Sequence, residues 1–252
     1  MLIEARNISL DVPDMSQQLL IGRRRRLTIL NNISISIAKG ESVGLVGESG
    51  SGKTSLGRSL LRLYEPREGQ ILFDGEDITH APAHALKPLR RRMQMIFQDP
   101  QSSLNPRRSI GGILAGVLRL HGLDASPAAV TGLLDRVGLP ASAMGRYPHQ
   151  LSGGQRQRVG IARAIALKPD FIVADEIVSG LDVSTQAQVL DLLQRLRAEM
   201  GMALAFISHD LSVVRALCER VVIMRGGEII EEGRTAEVFA SPRSPFTQTL
   251  ID

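Results

Sequence analysis

Residues 47–54 read Gly-Glu-Ser-Gly-Ser-Gly-Lys-Thr, the spacing G-x-x-x-x-G-K-[ST] that holds a polyphosphate when it stands between a strand and a helix. The apolar run Val43 to Val46 before it and a helix predicted from Lys53 after it supply that context. Glycines at 47, 50 and 52 let the backbone curl until successive N–H groups point inward, and the helix N-terminus adds partial positive charge. Gly47, Glu48, Ser49, Gly50, Ser51, Gly52, Lys53, Thr54 and Ser55 are therefore expected to cradle a nucleoside triphosphate. Lys53 would reach the β- and γ-phosphates, and the Thr54 hydroxyl would ligate Mg2+.

A phosphate-bound magnesium calls for a carboxylate at the end of a buried strand. Phe171-Ile172-Val173-Ala174-Asp175-Glu176 offers two of them. Asp175 is expected to hold the ion through its water shell, and Glu176, one residue nearer the γ-phosphate, to polarise the attacking water as general base. His209 follows a further apolar run, Ala203 to Ile207. That places it at the carboxyl edge of a sheet, where open α/β folds bind ligands, in a position to sense the γ-phosphate.

Residues 151–155 read Leu-Ser-Gly-Gly-Gln. Ser152 and Gln155 have capping-box spacing, so a helix should begin here, with Gly153 and Gly154 leaving its N–H groups bare for an anion. One cradle already satisfies one triphosphate. A second phosphate-recognising turn in the same chain most simply serves the nucleotide of another subunit, which implies a head-to-tail dimer.

The elements that must position these residues follow from hydropathy. Ile33, Ile35 and Ile37 alternate with Ser34 and Ser36, the period of a half-buried strand, paired with an opening strand around Leu2 to Leu10. From Ser42 onward, short apolar strands alternate with helices, the pattern of an α/β fold with a mainly parallel sheet. Between Asp99 and Lys168 strands give way to helical stretches around Ile113 to His121, Ala128 to Val137 and Gln155 to Leu167. The expected organisation is one domain: a P-loop NTPase core with an antiparallel β part over 1–98 and 169–240, a helical subdomain over 99–168, and a tail over 241–252. Val221 to Met224 and Glu228 to Glu231 flank a glycine pair, a hairpin signature.

Composition bounds the rest. The 252 residues are 43% hydrophobic, enough for a full core and against disorder. A formal charge of +4 is concentrated in arginine runs at 23–26 and 90–92; each reads as a solvated basic face, and neither is assigned a function. The lone Cys218 excludes an internal disulfide, and its apolar neighbours place it in a helix core. No apolar run approaches the ~18 residues that cross a bilayer, so membrane association is expected to come from a partner.

The P-loop, the Leu151 to Gln155 turn, the Asp175 and Glu176 pair and His209, in this order, resemble the ATP-binding cassette (ABC) superfamily, over about Leu2 to Phe239. The resemblance implies two ATP molecules sandwiched between subunits, each enclosed by Gly47 to Thr54 of one and Ser152 to Gln155 of the other. It also implies that Gln98 links magnesium to a transmembrane partner and that Ser179 to Asp182 cross the dimer interface. Phe97 to Arg107 and Ser241 to Thr247 are similar to segments of importers of dipeptides, oligopeptides and nickel. Such importers pair two ATPases, identical or paralogous, with two transmembrane permease subunits and an extracytoplasmic solute-binding protein. The expected location is therefore peripheral, on the cytoplasmic face of the inner membrane.

Three departures from the family pattern stand out. Residues 1–40 contain no aromatic to stack on adenine, so base affinity or selectivity is expected to be weak, an arginine of the 23–26 run being the less favoured substitute. Ile177-Val178 replaces the usual Pro-Thr, and Gly180 replaces a small alanine. The chain stops at Asp252 without a cysteine-bearing extension, so no iron-sulfur cluster is expected. Neither long coiled coils nor a second cassette occurs, which argues against nucleic-acid and ribosome partners. A non-catalytic half of a heterodimer is the alternative; Glu176 and His209 argue against it.

Overall fold

A computed structural model of the chain describes residues 1–13 and 26–251. The arginines read at 23–25 lie outside the described residues. Along the chain the elements are β1 (Ile3–Pro13), β2 (Arg26–Ile37), β3 (Ser42–Val46), α1 (Lys53–Leu60), β4 (Glu68–Phe73), β5 (Glu76–Asp77), α2 (Ala83–Arg92) and β6 (Met93–Ile96). Then come α3 (Pro100–Ser103), α4 (Ile110–Leu120), α5 (Pro127–Arg136), α6 (Gly153–Ile165), β7 (Phe171–Asp175) and α7 (Val183–Met200). The chain finishes with β8 (Ala203–Ile207), α8 (Leu211–Leu217), β9 (Arg220–Arg225), β10 (Glu228–Arg234), α9 (Thr235–Ala240) and α10 (Pro245–Ile251). These elements fall into two compact units, residues 1–86 with 203–252 and residues 87–202.

In the first unit an antiparallel sheet has the order β2-β1-β4-β5. Ile37, Ile35 and Ile33 face Ile3, Ala5 and Ile8 across the β1–β2 ladder. All six are buried while Ser34 is exposed, so the alternation seen in the sequence is one face turned to the core. β4 has no such signature, because its apolar residues crowd into its second half. It is held against β1 by the pairing of Phe73 with Ile3 and by Gly69, where an added Cβ would stand 2.4 Å from the Asn7 carbonyl oxygen. Only glycine tolerates that approach at φ 89°.

Also in the first unit, β3 lies between β8 and β9, parallel to both. Every residue of β3 and β8 is buried, which is why these strands read as continuous apolar runs and do not alternate. The β9–β10 hairpin turns on Gly226 and Gly227 with φ of 56° and 84°; both positive values fit the tight turn expected from the glycine pair. Cys218 is buried, but it caps α8 in an extended conformation. The predicted helix core at this residue is therefore corrected to the turn just beyond it.

In the second unit β6 and β7 form a parallel pair, with Met93 opposite Phe171 and Ile96 opposite Ala174. The helices start earlier than hydropathy alone predicts, because caps set their ends. Ser109 accepts from the Gly112 N–H to open α4, and Ser126 accepts from the Ala129 N–H with Pro127 in the first turn of α5. Ile177 and Val178, the departure noted after Glu176, are 1% and 5% exposed. The apolar pair is accommodated as core.

Candidate active site

In the first unit the loop from β3 to α1 carries left-handed glycines at 47, 50 and 52, with φ of 149°, 80° and 101°. At Gly47 a Cβ would meet the Met224 carbonyl oxygen at 2.1 Å. The β9–β10 hairpin braces the loop from that side, and the Gly227 N–H donates to the Ser51 carbonyl at 3.1 Å. The sequence reading did not assign this bracing role, although the Gly226-Gly227 pair was its visible sign. The Lys53 side chain curls back, its Nζ donating to the carbonyls of Gly47 at 2.8 Å and Glu48 at 2.7 Å. The folded lysine keeps its ammonium against the loop that leads into the N–H groups at the start of α1. That donor set suits an anion with several oxygens.

His209 follows β8 as the loop follows β3, and these neighbouring strands are parallel, with Leu45 opposite Ile207. The imidazole therefore lies at the same sheet edge as the loop, and it is exposed.

In the second unit Asp175 closes β7 with its carboxylate 3% exposed. Glu176 follows in the left-handed region at φ 46°, a conformation that costs a residue with a Cβ about 1 kcal/mol. Gln98 follows β6, the parallel neighbour of β7. Its Nε2 donates to Glu176 Oε2 at 2.9 Å, across 78 residues of sequence. Nothing local in the sequence marked that contact.

The Leu151 to Gln155 turn opens α6 as expected. Ser152 Oγ accepts from the Gln155 N–H at 3.3 Å, and Gln155 Oε1 accepts from the Ser152 N–H at 3.1 Å. One glycine of the turn also has a packing role. Gly154 is buried, and a Cβ there would stand 2.2 Å from Thr185 Cγ2 of α7. This glycine is required by helix packing, and the exposed part of the turn is Ser152 with Gly153 beside it. Asp182 caps α7 by accepting from the Thr185 N–H at 2.9 Å, and that backbone bond together with the Thr185 hydroxyl holds its carboxyl below the ordinary range.

A cavity of about 820 Å³ in the second unit is lined by Lys87, Arg91, Arg92, His121, Lys168 and Asp170. Arg92 and Asp170 immediately precede β6 and β7, so the cavity lies at the amino ends of those strands, opposite to Gln98 and Glu176. It is not where phosphate chemistry would occur.

Residues 30–179 match the family described as ABC transporter. The chain belongs to the ABC transporter family. This ABC ATPase is 51% identical over 232 residues to a Brucella ovis protein described as a peptide import ATP-binding protein, a match that spans 91% of this chain and 73% of the relative. It is 46% identical to the oligopeptide transport ATP-binding protein OppF of Streptococcus mutans, over 99% of this chain and 80% of that protein. Among solved structures it resembles the dimeric post-hydrolysis state of the ATP-binding cassette MJ0796 bound to ADP and phosphate. There the TM-score is 0.80 at 27% identity, over 92% of this chain and 98% of that one. The α/β fold with its antiparallel sheet and mainly parallel sheet is thus that of an ABC cassette. No helix among the described residues is long and apolar enough to cross a membrane.

Proposed function

We propose that this ABC ATPase energises a membrane importer of peptides or oligopeptides. The observation that carries the reading is the 46% identity to OppF along 99% of the chain, a span that takes in both the Phe97 to Arg107 and the Ser241 to Thr247 segments. Nickel, a small cation carried by related importers, is the less supported solute.

The roles follow from chemistry. Gly47 to Ser55 hold the phosphates of ATP, with Lys53 leaving its loop carbonyls for the β- and γ-oxygens. To Mg2+ we assign oxygen donors of the kind a hard cation takes: the Thr54 hydroxyl, the Asp175 carboxylate, and Oε1 of Gln98, whose Nε2 is engaged with Glu176. No cluster of three or more His, Cys, Asp or Glu suited to a metal occurs among the described residues, and a magnesium carried on nucleotide phosphates needs only one or two protein ligands. When bound, the ion neutralises charge on the phosphate oxygens. Glu176 accepts a proton as water attacks the γ-phosphorus and the bond to the β-phosphate oxygen breaks, releasing ADP and phosphate. His209 contacts the γ-phosphate. Ser152, Gly153, Gly154 and Gln155 present the start of α6 to the nucleotide of a second ABC ATPase, identical or paralogous. Val183, 84% exposed beside the Ser179 to Asp182 loop, supports that loop as part of the subunit contact.

The partners we assign are that second ATPase, two transmembrane permease subunits and an extracytoplasmic solute-binding protein, with this chain on the cytoplasmic face of the inner membrane. A tagged copy captured from gently solubilised native membranes tests the assignment by mass spectrometry. Recovery of two polytopic membrane proteins with a second cassette ATPase is expected. Recovery of ribosomal or DNA-bound proteins in their place would leave the ATPase standing and overturn import.

A further inference from the structure

Arg163 stands in the last turn of α6, the helix that begins at Ser152. Burial lowers the pKa of its guanidinium below the ordinary arginine value, and no carboxylate pairs with it among the described residues. Its contacts go to one stretch of chain. Nη1 donates to the Ser103 carbonyl, and the guanidinium carbon lies 5.8 Å from the centre of the Phe97 ring. Phe97 is the residue before Gln98, and Ser103 ends α3 just after it. One side chain therefore grips the loop on both sides of the glutamine that meets Glu176.

A partly buried cation without an acid beside it is costly to keep. The carbonyl end of α6 offsets part of that cost, but an apolar residue would pack against Phe97 without incurring it. What the guanidinium adds is a rigid planar fork that lies over the ring and donates to the carbonyl at once. That fixes where the loop stands along the helix. The contacts then run without a gap from α6 through Arg163 to the 97–103 loop, from Gln98 to Glu176, all inside the second unit.

We propose that Arg163 is a positioning residue for ATP hydrolysis, tying the loop at 97–103 to α6 so that Gln98 is held against the Glu176 carboxylate. The inference rests on the assignment of Glu176 as general base. It makes the position of α6, whose other end meets the partner's nucleotide in that reading, a setting for the base.

The test compares Arg163→Met, which keeps the stem and removes the donors, with Arg163→Lys, Gln98→Ala and the double variant Arg163→Met/Gln98→Ala, all in the full chain within its native complex. Expected for Arg163→Met is a kcat about 10-fold to 100-fold lower, the loss typical of a displaced reacting group, with ATP affinity within about twofold, as expected when only the transition state is affected. Arg163→Lys should recover part of the loss. The double variant should be no slower than the slower single variant, since both changes break one connection. Losses that multiply in the double variant, or an unchanged kcat in Arg163→Met, would overturn the proposal. Should Arg163→Met fail to fold, Phe97→Leu, which keeps the carbonyl contact and removes the ring, enters the same cycle with the same criteria. Full activity in Glu176→Gln would instead remove the base assignment, and the cycle between positions 163 and 98 reads out separately from it.

Discussion

Gln98 Nε2 donates to Glu176 Oε2 at 2.9 Å, and Glu176 itself sits in the left-handed region at φ 46°. A carboxylate on a strained turn, with a hydrogen bond to the loop after the neighbouring strand, has few positions open to it. Strain retained at a polar residue is a mark of function when the site chemistry agrees.

Glu176→Gln keeps shape and removes the proton acceptor. Hydrolysis should fall at least about 100-fold, the lower end of what a general base contributes, and an ATP-bound dimer should accumulate. Size exclusion at saturating ATP and Mg2+ checks this. A monomer under those conditions would count against the assignment.

Lys53→Ala removes a side chain that is 6% exposed and bonded to two loop carbonyls. Both the phosphate contact and the bonds that shape the loop go with it. Phosphate release should become undetectable and nucleotide affinity should drop by about tenfold or more, as for loss of a charged hydrogen bond worth about 1.5–3 kcal/mol. Undiminished activity would remove the P-loop assignment.

Gly154→Ala places a methyl group 2.2 Å from Thr185 Cγ2. Overpacking of this kind costs about 1–3 kcal/mol, read as a lower thermal midpoint. Adding Thr185→Ser removes the opposing methyl and should restore most of the loss; a double variant as unstable as the single would show that Gly154 is required for another reason.

Glu231 anchors the C-terminal segment by accepting from the N–H groups of Arg243 at 2.9 Å and Ser244 at 3.0 Å. Burial alone would raise its carboxyl pKa, but the N–H groups of Arg243 and Ser244 are among the donors that outweigh it and leave the value lowered. With the folded value below the unfolded one, the stabilisation is fully present above the ordinary glutamate pKa of about 4.3 and is lost as pH falls through the folded value. Amide protection at residues 243–251, taken relative to the intrinsic exchange rate at each pH, should fall on acidification below that point, and Glu231→Gln should lower it at neutral pH. Protection independent of both would show that the segment is held by other contacts.

The sequence by itself determined the features that depend on neighbours within a few residues. The P-loop glycines, the Ser152 and Gln155 capping box, the Ile33 to Ile37 alternation and the Gly226-Gly227 turn all encode backbone angles or faces locally, so spacing reveals them. Only the tertiary structure decided the features that depend on register between distant segments. β6 is four residues long and directly follows the arginine-rich α2, so it carries no period of its own; its pairing with β7 is what brings Gln98 to Glu176. Likewise Gly154 is read locally as bare backbone, yet its missing side chain makes room for a methyl group on α7. A periodic pattern states which face of an element is apolar. It leaves unstated which element will cover that face, because that choice is made by the packing of the whole core.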